Sequence, residues 1–174
     1  MSAFSNAQKT ELEKKGLNIQ SAIPVVEATT IPGAVVVSFG DGTVRFFRPG
    51  LAYTTVEAHV GVVLSMAADN DGVLTGGDDG RFLRIAQDGT TEEICKFDSK
   101  WVDCVASSKD FFACSSGKAA YVWTKGRTEP IRLEHPSTIG GLAFDAKGRR
   151  FAVAHYGGVT IWEKHKSRWR SSRL

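Results

Sequence analysis

Asp78 and Asp79 stand side by side in "GGDDGRF" (76–82), and paired carboxylates are a common instrument of general acid–base chemistry. Neighbours in a tight turn point in different directions, however. Asp79 is placed to satisfy turn amides and His59, and Asp78 to face solvent. "SSGKAA" (115–120) carries the Gly-Lys of a phosphate loop, but Phe112 occupies the place of the earlier glycine. The stretch also reads as a turn between strands, not as the start of a helix. Cys95, Cys104 and Cys114 fall on three different expected strands and read as small buried hydrophobes. His155 and His165 flank one expected strand at opposite ends, so they cannot share a metal. The sequence contains no G-x-S-x-G elbow, no H-E-x-x-H and no C-x-x-C. The expectation is a chain that is not an enzyme, with no cofactor, no metal and no catalytic residue.

The bulk numbers agree with a folded soluble chain. Hydrophobic residues make up 42% of 174 residues, charged residues 24%, and there are 18 glycines. No apolar run approaches the roughly 18 residues of a membrane span. The start, "MSAFSNAQKTELEKK", lacks the apolar middle of a secretory signal, and three cysteines fit a reducing compartment, so the expected location is cytoplasmic. Net charge is +3, but residues 163–174 alone carry +4, leaving the rest near −1. The tail "KHKSRWRSSR" interleaves Trp169 with basic residues, a pattern that could stack bases and contact phosphates or an anionic surface. The competing reading is a solvated outer strand whose Lys and Arg guard a sheet edge, and that one is preferred.

The elements that must position these residues repeat. "GDGTVRFF", "DDGRFLRI", "SGKAAYVW" and "GGVTIW" align on Phe47, Ile85, Trp123 and Trp162, in steps of 38, 38 and 39 residues. Each unit divides into four short runs rich in Val, Ile, Phe, Tyr and Thr, separated by Gly and Asp. Such runs are strands joined by tight turns. The runs are 22–30, 34–39, 43–47 and 52–58; then 62–68, 72–77, 81–86 and 90–97; then 100–107, 110–116, 119–124 and 130–135; then 139–145, 149–155, 158–164 and 167–174. The second run of each unit is nearly continuously apolar, as a strand covered on both faces should be. The expected fold is therefore all-β, four four-stranded antiparallel units at 21–58, 59–98, 99–135 and 136–174. Residues 1–20 form an arm, either a short helix or disordered.

With a period near forty, four strands per unit and Asp-Gly shortly before an aromatic, residues 21–174 resemble WD-repeat (beta-transducin type) β-propeller blades. More closely, they resemble the N-terminal part of a longer propeller of bacterial style. In that family a blade is often locked by a His before the first strand, a Ser or Thr on the second, an Asp in the next turn and a Trp on the third. The resemblance gives unit two His59 and Asp79, with Gly77 and Ile85 at the other places. It gives unit three Ser115 and Trp123, unit four His135 and Trp162, and unit one Asp41. It also implies a protein partner on the face that carries the turns. The matching positions are Trp101, Asp103, Asp78, Ser116 and His155, and Trp101 either anchors a partner or packs between blades. A hydrolase in the central channel is the contrary class, with Asp103 the main acidic candidate.

The family usually closes with seven blades at about 51° each, so four cover only about 205°. Two apolar blade faces would stand in water. The expectations are an open partial ring from a longer propeller, a homodimer closing an eight-bladed ring, or a ring completed by another chain or closed by the four blades alone.

Overall fold

The computed structural model describes residues 15–16, 19–70, 72–98, 100–166 and 168–171; most of the 1–20 arm lies outside them. The described residues fold into sixteen strands in four separate four-stranded sheets. Sheet one holds β1 (Val25–Ile31), β2 (Ala34–Phe39), β3 (Thr43–Phe47) and β4 (Tyr53–Glu57). Sheet two holds β5 (Val63–Asp69), β6 (Gly72–Gly77), β7 (Arg81–Ile85) and β8 (Thr91–Lys96). Sheet three holds β9 (Cys104–Ser107), β10 (Phe111–Ser116), β11 (Ala119–Thr124) and β12 (Ile131–Glu134). Sheet four holds β13 (Ile139–Phe144), β14 (Arg150–His155), β15 (Gly158–His165) and β16 (Arg168–Ser171). Every neighbouring pair is antiparallel and follows chain order, so each sheet is a meander of hairpins. This is the blade of a β-propeller, repeated four times.

β-Branched and aromatic residues make these segments strands, but burial decides how the blades stack. In β6 and β10 every residue is buried, because another sheet covers each face. β2 and β14 alternate between buried and open residues, because sheets one and four each have one uncovered face. Three apolar layers join the blades. Val44 and Phe46 of sheet one meet Val63, Val73, Leu83 and Ile85 of sheet two. Leu74 and Phe82 of sheet two meet Val102, Phe112, Cys114 and Trp123 of sheet three. Phe111, Ala113 and Val122 of sheet three meet Phe151 and Val153 of sheet four. In the middle layer Phe112 stacks on Trp123 with centroids 5.4 Å apart, and Phe82 lies 5.5 Å from the same indole. Aromatic pairs at these separations add to the area they bury.

Trp169 belongs to the third layer. It is buried, edge-on to Phe111 at 5.4 Å, while Arg168 and Arg170 on either side are exposed. The period-2 alternation of a strand separates the aromatic from its basic neighbours. The base-stacking arrangement that the tail suggested is therefore not formed by Trp169.

Removing the ring of Phe82 leaves a cavity between Leu74, Phe112 and Trp123. Phe82→Ala should lower unfolding free energy by about 3–5 kcal/mol in urea titration. A loss under about 1 kcal/mol would mean that the layer collapses around the gap.

Candidate functional site

In a meander, the second-to-third-strand turn and the linker to the next blade lie at the same end of the sheet. Turns 40–42, 78–80, 117–118 and 156–157 therefore share one face with linkers 58–62, 97–103 and 135–138. Backbone hydrogen bonds tie the two sets together. Val102 N donates to Gly77 O (3.0 Å), Ile139 N to Gly117 O (3.0 Å) and Tyr156 N to Thr138 O (3.1 Å). The loops of this face are thus held by the strands beneath them.

Unit two contains the fullest side-chain lock. His59 Nδ1 donates to Asp79 Oδ1 (2.8 Å), which leaves His59 Nε2 to accept from the Thr75 hydroxyl (2.9 Å). Asp79 also accepts from the amides of Val60 (3.0 Å) and Arg81 (3.1 Å). Gly77 completes the pocket, since a Cβ there would overlap the His59 ring. Burial outweighs the pull of Asp79 and holds the imidazole below its ordinary value, so it is neutral at pH 7. Burial works against the Asp79 charge, but the hydrogen bonds from His59, Val60 and Arg81 outweigh it and keep the carboxyl low.

The other expected locks differ. The hydroxyl partner in unit two is Thr75, not position 77, and its counterpart in unit three is Cys114, not Ser115. The reason is turn length: three residues join β6 to β7 but only two join β10 to β11, so an alignment on the third strand slips along the second. Ser115 instead lies on the opposite face of its strand, buried, beside the Cys104 thiol. Trp123 Nε1 donates to Thr128 O (3.1 Å), away from any lock. Trp162 does form one, donating directly to His135 Nε2 at 3.0 Å. Asp41 stays within its own turn, accepting from the amide (3.1 Å) and hydroxyl (2.7 Å) of Thr43.

Among the expected contact residues, Asp78 is half-buried. Its Oδ1 accepts from Val62 N at 2.9 Å, and Gly61 leaves room for the carboxylate. Ser116 is the buried last residue of β10 and not part of the turn surface. Asp103 is partly buried, which raises its carboxyl despite an opposing bond from the Gly117 amide. His155 contacts Ser137 (3.2 Å) through Nδ1 and Thr160 (3.2 Å) through Nε2, and Gly157 N donates to the Ser137 oxygen (2.9 Å). These bonds tie the β14–β15 turn to the linker before β13. Trp101 is 59% exposed and does not pack between blades.

Two exposed residues of this face were not among the expected contact residues. Val60 is 86% and Tyr156 90% exposed; Val60 lies in linker 58–62 and Tyr156 in turn 156–157, on the face that also carries Trp101. The signal was present: each is a large apolar residue next to glycine in a polar loop. Sequence reasoning also missed a thiol pair, since the Cys95 thiol faces that of Cys114 between sheets two and three.

Neither a protein-family model nor a curated protein matches the chain. Its array of sheets is similar to the crystal structure of the computationally designed Ika4 protein, at 18% identity and a TM-score of 0.70. That likeness covers 84% of this chain and 94% of Ika4. The likeness is one of fold. The computationally designed Ika8 protein is similar too, with 20% identity and a TM-score of 0.72 over 85% of this chain. The match covers 48% of Ika8, so the chain spans about half of that protein's length. Among the described residues no helix is long and apolar enough to cross a membrane.

Two outcomes follow from the lock. Burial holds both His59 and His135 below the ordinary imidazole value of 6.5. The unfolded chain then binds protons that the folded chain does not, so stability is full above pH 6.5 and falls as pH drops below it. Thermal melts should show a lower midpoint at pH 5 than at pH 7.5, with a shallower dependence in His59→Gln. Gly77→Ala should displace the His59 ring and destabilise by about 1–3 kcal/mol, read by urea unfolding.

Proposed function

We propose that this chain is a non-enzymatic interaction scaffold of WD-repeat type that takes a protein partner on its loop-bearing face. The observation that carries the reading is the placement of Val60, Trp101 and Tyr156, large apolar side chains that are 86%, 59% and 90% exposed on one face. An exposed Trp and Tyr are the residue types that dominate protein interfaces, because they bury large area with little loss of side-chain freedom. The backbone beneath them is held by the Val102–Gly77 and Tyr156–Thr138 bonds, so little ordering cost falls on the binding step. The WD-repeat assignment rests on the 38–39-residue step and on the His59–Asp79–Thr75 network.

The basic strand β16 supports a nucleic-acid reading less well, since Trp169 faces the core. The two readings separate experimentally. A protein that co-purifies with the chain should survive nuclease treatment and raised salt. Trp101→Ala/Tyr156→Ala should weaken its binding at least about tenfold while the thermal midpoint stays unchanged. Binding that vanishes with nuclease, or that the double variant retains, would overturn the assignment.

A further inference from the structure

The uncovered face of sheet one and the uncovered face of sheet four have the composition of a blade–blade layer. Equivalent positions, read from the strand registers, show what each is missing. Val25 corresponds to Val63 and Ile139, which begin the inner strands of their units, and to Val102, which stands two residues before β9. Those three are 0–2% exposed, each packed on the preceding blade, whereas Val25 is 57% exposed. Val35 corresponds to Val73, Phe112 and Phe151, the second-strand residues paired with Phe47, Ile85, Trp123 and Trp162. They are 0–4% exposed and Val35 is 46% exposed.

The far end shows the converse. Val159 of β15 corresponds to Val44, Phe82 and Ala120, all 0% exposed, yet Val159 is 62% exposed. Ala154 beside it is exposed, where its counterparts Ser38, Gly76 and Ser115 are buried. Sheet one therefore lacks a preceding blade and sheet four a following one.

The two faces also differ in size, in the sense that the third layer shows. In the third layer the small Ala113 and Ala120 of one blade receive Phe151 and Trp162 of the next. The open face of sheet four again carries small residues, Gly141, Ala143, Ala152 and Ala154, beside Val159 and Ile161. The open face of sheet one is large, with Val35, Val37, Phe39 and Phe47 around an apolar hollow of about 410 Å³. Arg45 lies on that face with its guanidinium 4.2 Å from the Phe39 ring. A cation there does not prevent covering, for Arg84 sits between sheets two and three, 4.7 Å over Phe112.

From this pairing we infer that the covering partner is a second copy of the chain, with sheet four of each copy packing on sheet one of the other. Two such contacts related by one twofold axis close a ring of eight blades and leave no face open. The similarity of this array to about half of the Ika8 chain is compatible with a four-blade unit serving as half of a larger arrangement.

The test begins with mass in solution by light scattering behind size exclusion, across dilution. The expected result is one species at twice 18.8 kDa. Val25→Glu and Val159→Glu, both at exposed positions, should each halve that mass while far-UV circular dichroism stays unchanged. A cysteine pair tests geometry directly. A Cβ at Gly76 would lie 2.5 Å from Val102 Cγ1, and Ala154 and Val25 are the counterparts of those two residues. Val25→Cys/Ala154→Cys should give a covalent dimer on a non-reducing gel under oxidation that leaves the wild-type chain monomeric. A folded wild-type monomer, a polymer that lengthens with concentration, glutamate variants that remain dimeric, or a cysteine pair that stays monomeric would each overturn the inference.

Discussion

A four-stranded blade is apolar on both faces, and everything else in this molecule follows from the need to cover them. A single such sheet exposes more apolar area than water tolerates, and stacking is the solution that a repeated sequence makes available. The middle blades show the satisfied case, with every residue of β6 and β10 buried. Each face is shaped for the one it meets. Gly76 has no side chain because Val102 occupies the space, and Phe112 and Trp123 fill what Leu74 and Phe82 leave between them. Stability here is a property of the layers between sheets more than of any sheet.

The loop-bearing face inherits its order from that stacking. Each linker must cross from the outer strand of one blade to the inner strand of the next, and in doing so it passes over a turn that offers free backbone groups. The resulting bonds, such as Asp78 with Val62 on both backbone and side chain, fasten the linkers to the turns. Histidine suits this junction because one ring serves two partners at once. In neutral form it donates to Asp79 and accepts from Thr75, and burial keeps it in that form. Polar groups are consumed in holding the loops, and the large apolar residues are left outward.

The architecture was largely legible in the sequence. The expected runs 34–39, 43–47, 72–77 and 119–124 coincide with β2, β3, β6 and β11, because a turn carrying Gly or Asp bounds each on at least one side. The run 100–107 was read too long. Val102 is buried like a strand residue, yet it belongs to the linker, and β9 starts at Cys104. Side-chain roles were less legible, for a physical reason. A one-residue difference in a turn moves every later side chain to the other face of a strand. That is how Ser115 took the place of Cys114 in a one-dimensional alignment. The exposure of Val60 and Tyr156 depends on which loops gather at one end, which composition does not encode.

The unequal turns have a wider meaning. Three residues join β6 to β7 and two join β10 to β11, yet Ile85 and Trp123 arrive at the same place against the preceding blade. Length is absorbed at the rim and never reaches the stacked faces. The chain can therefore vary the surface it shows to others while conserving the one it shows to itself, and new specificities can be grafted onto its turns without renegotiating the fold.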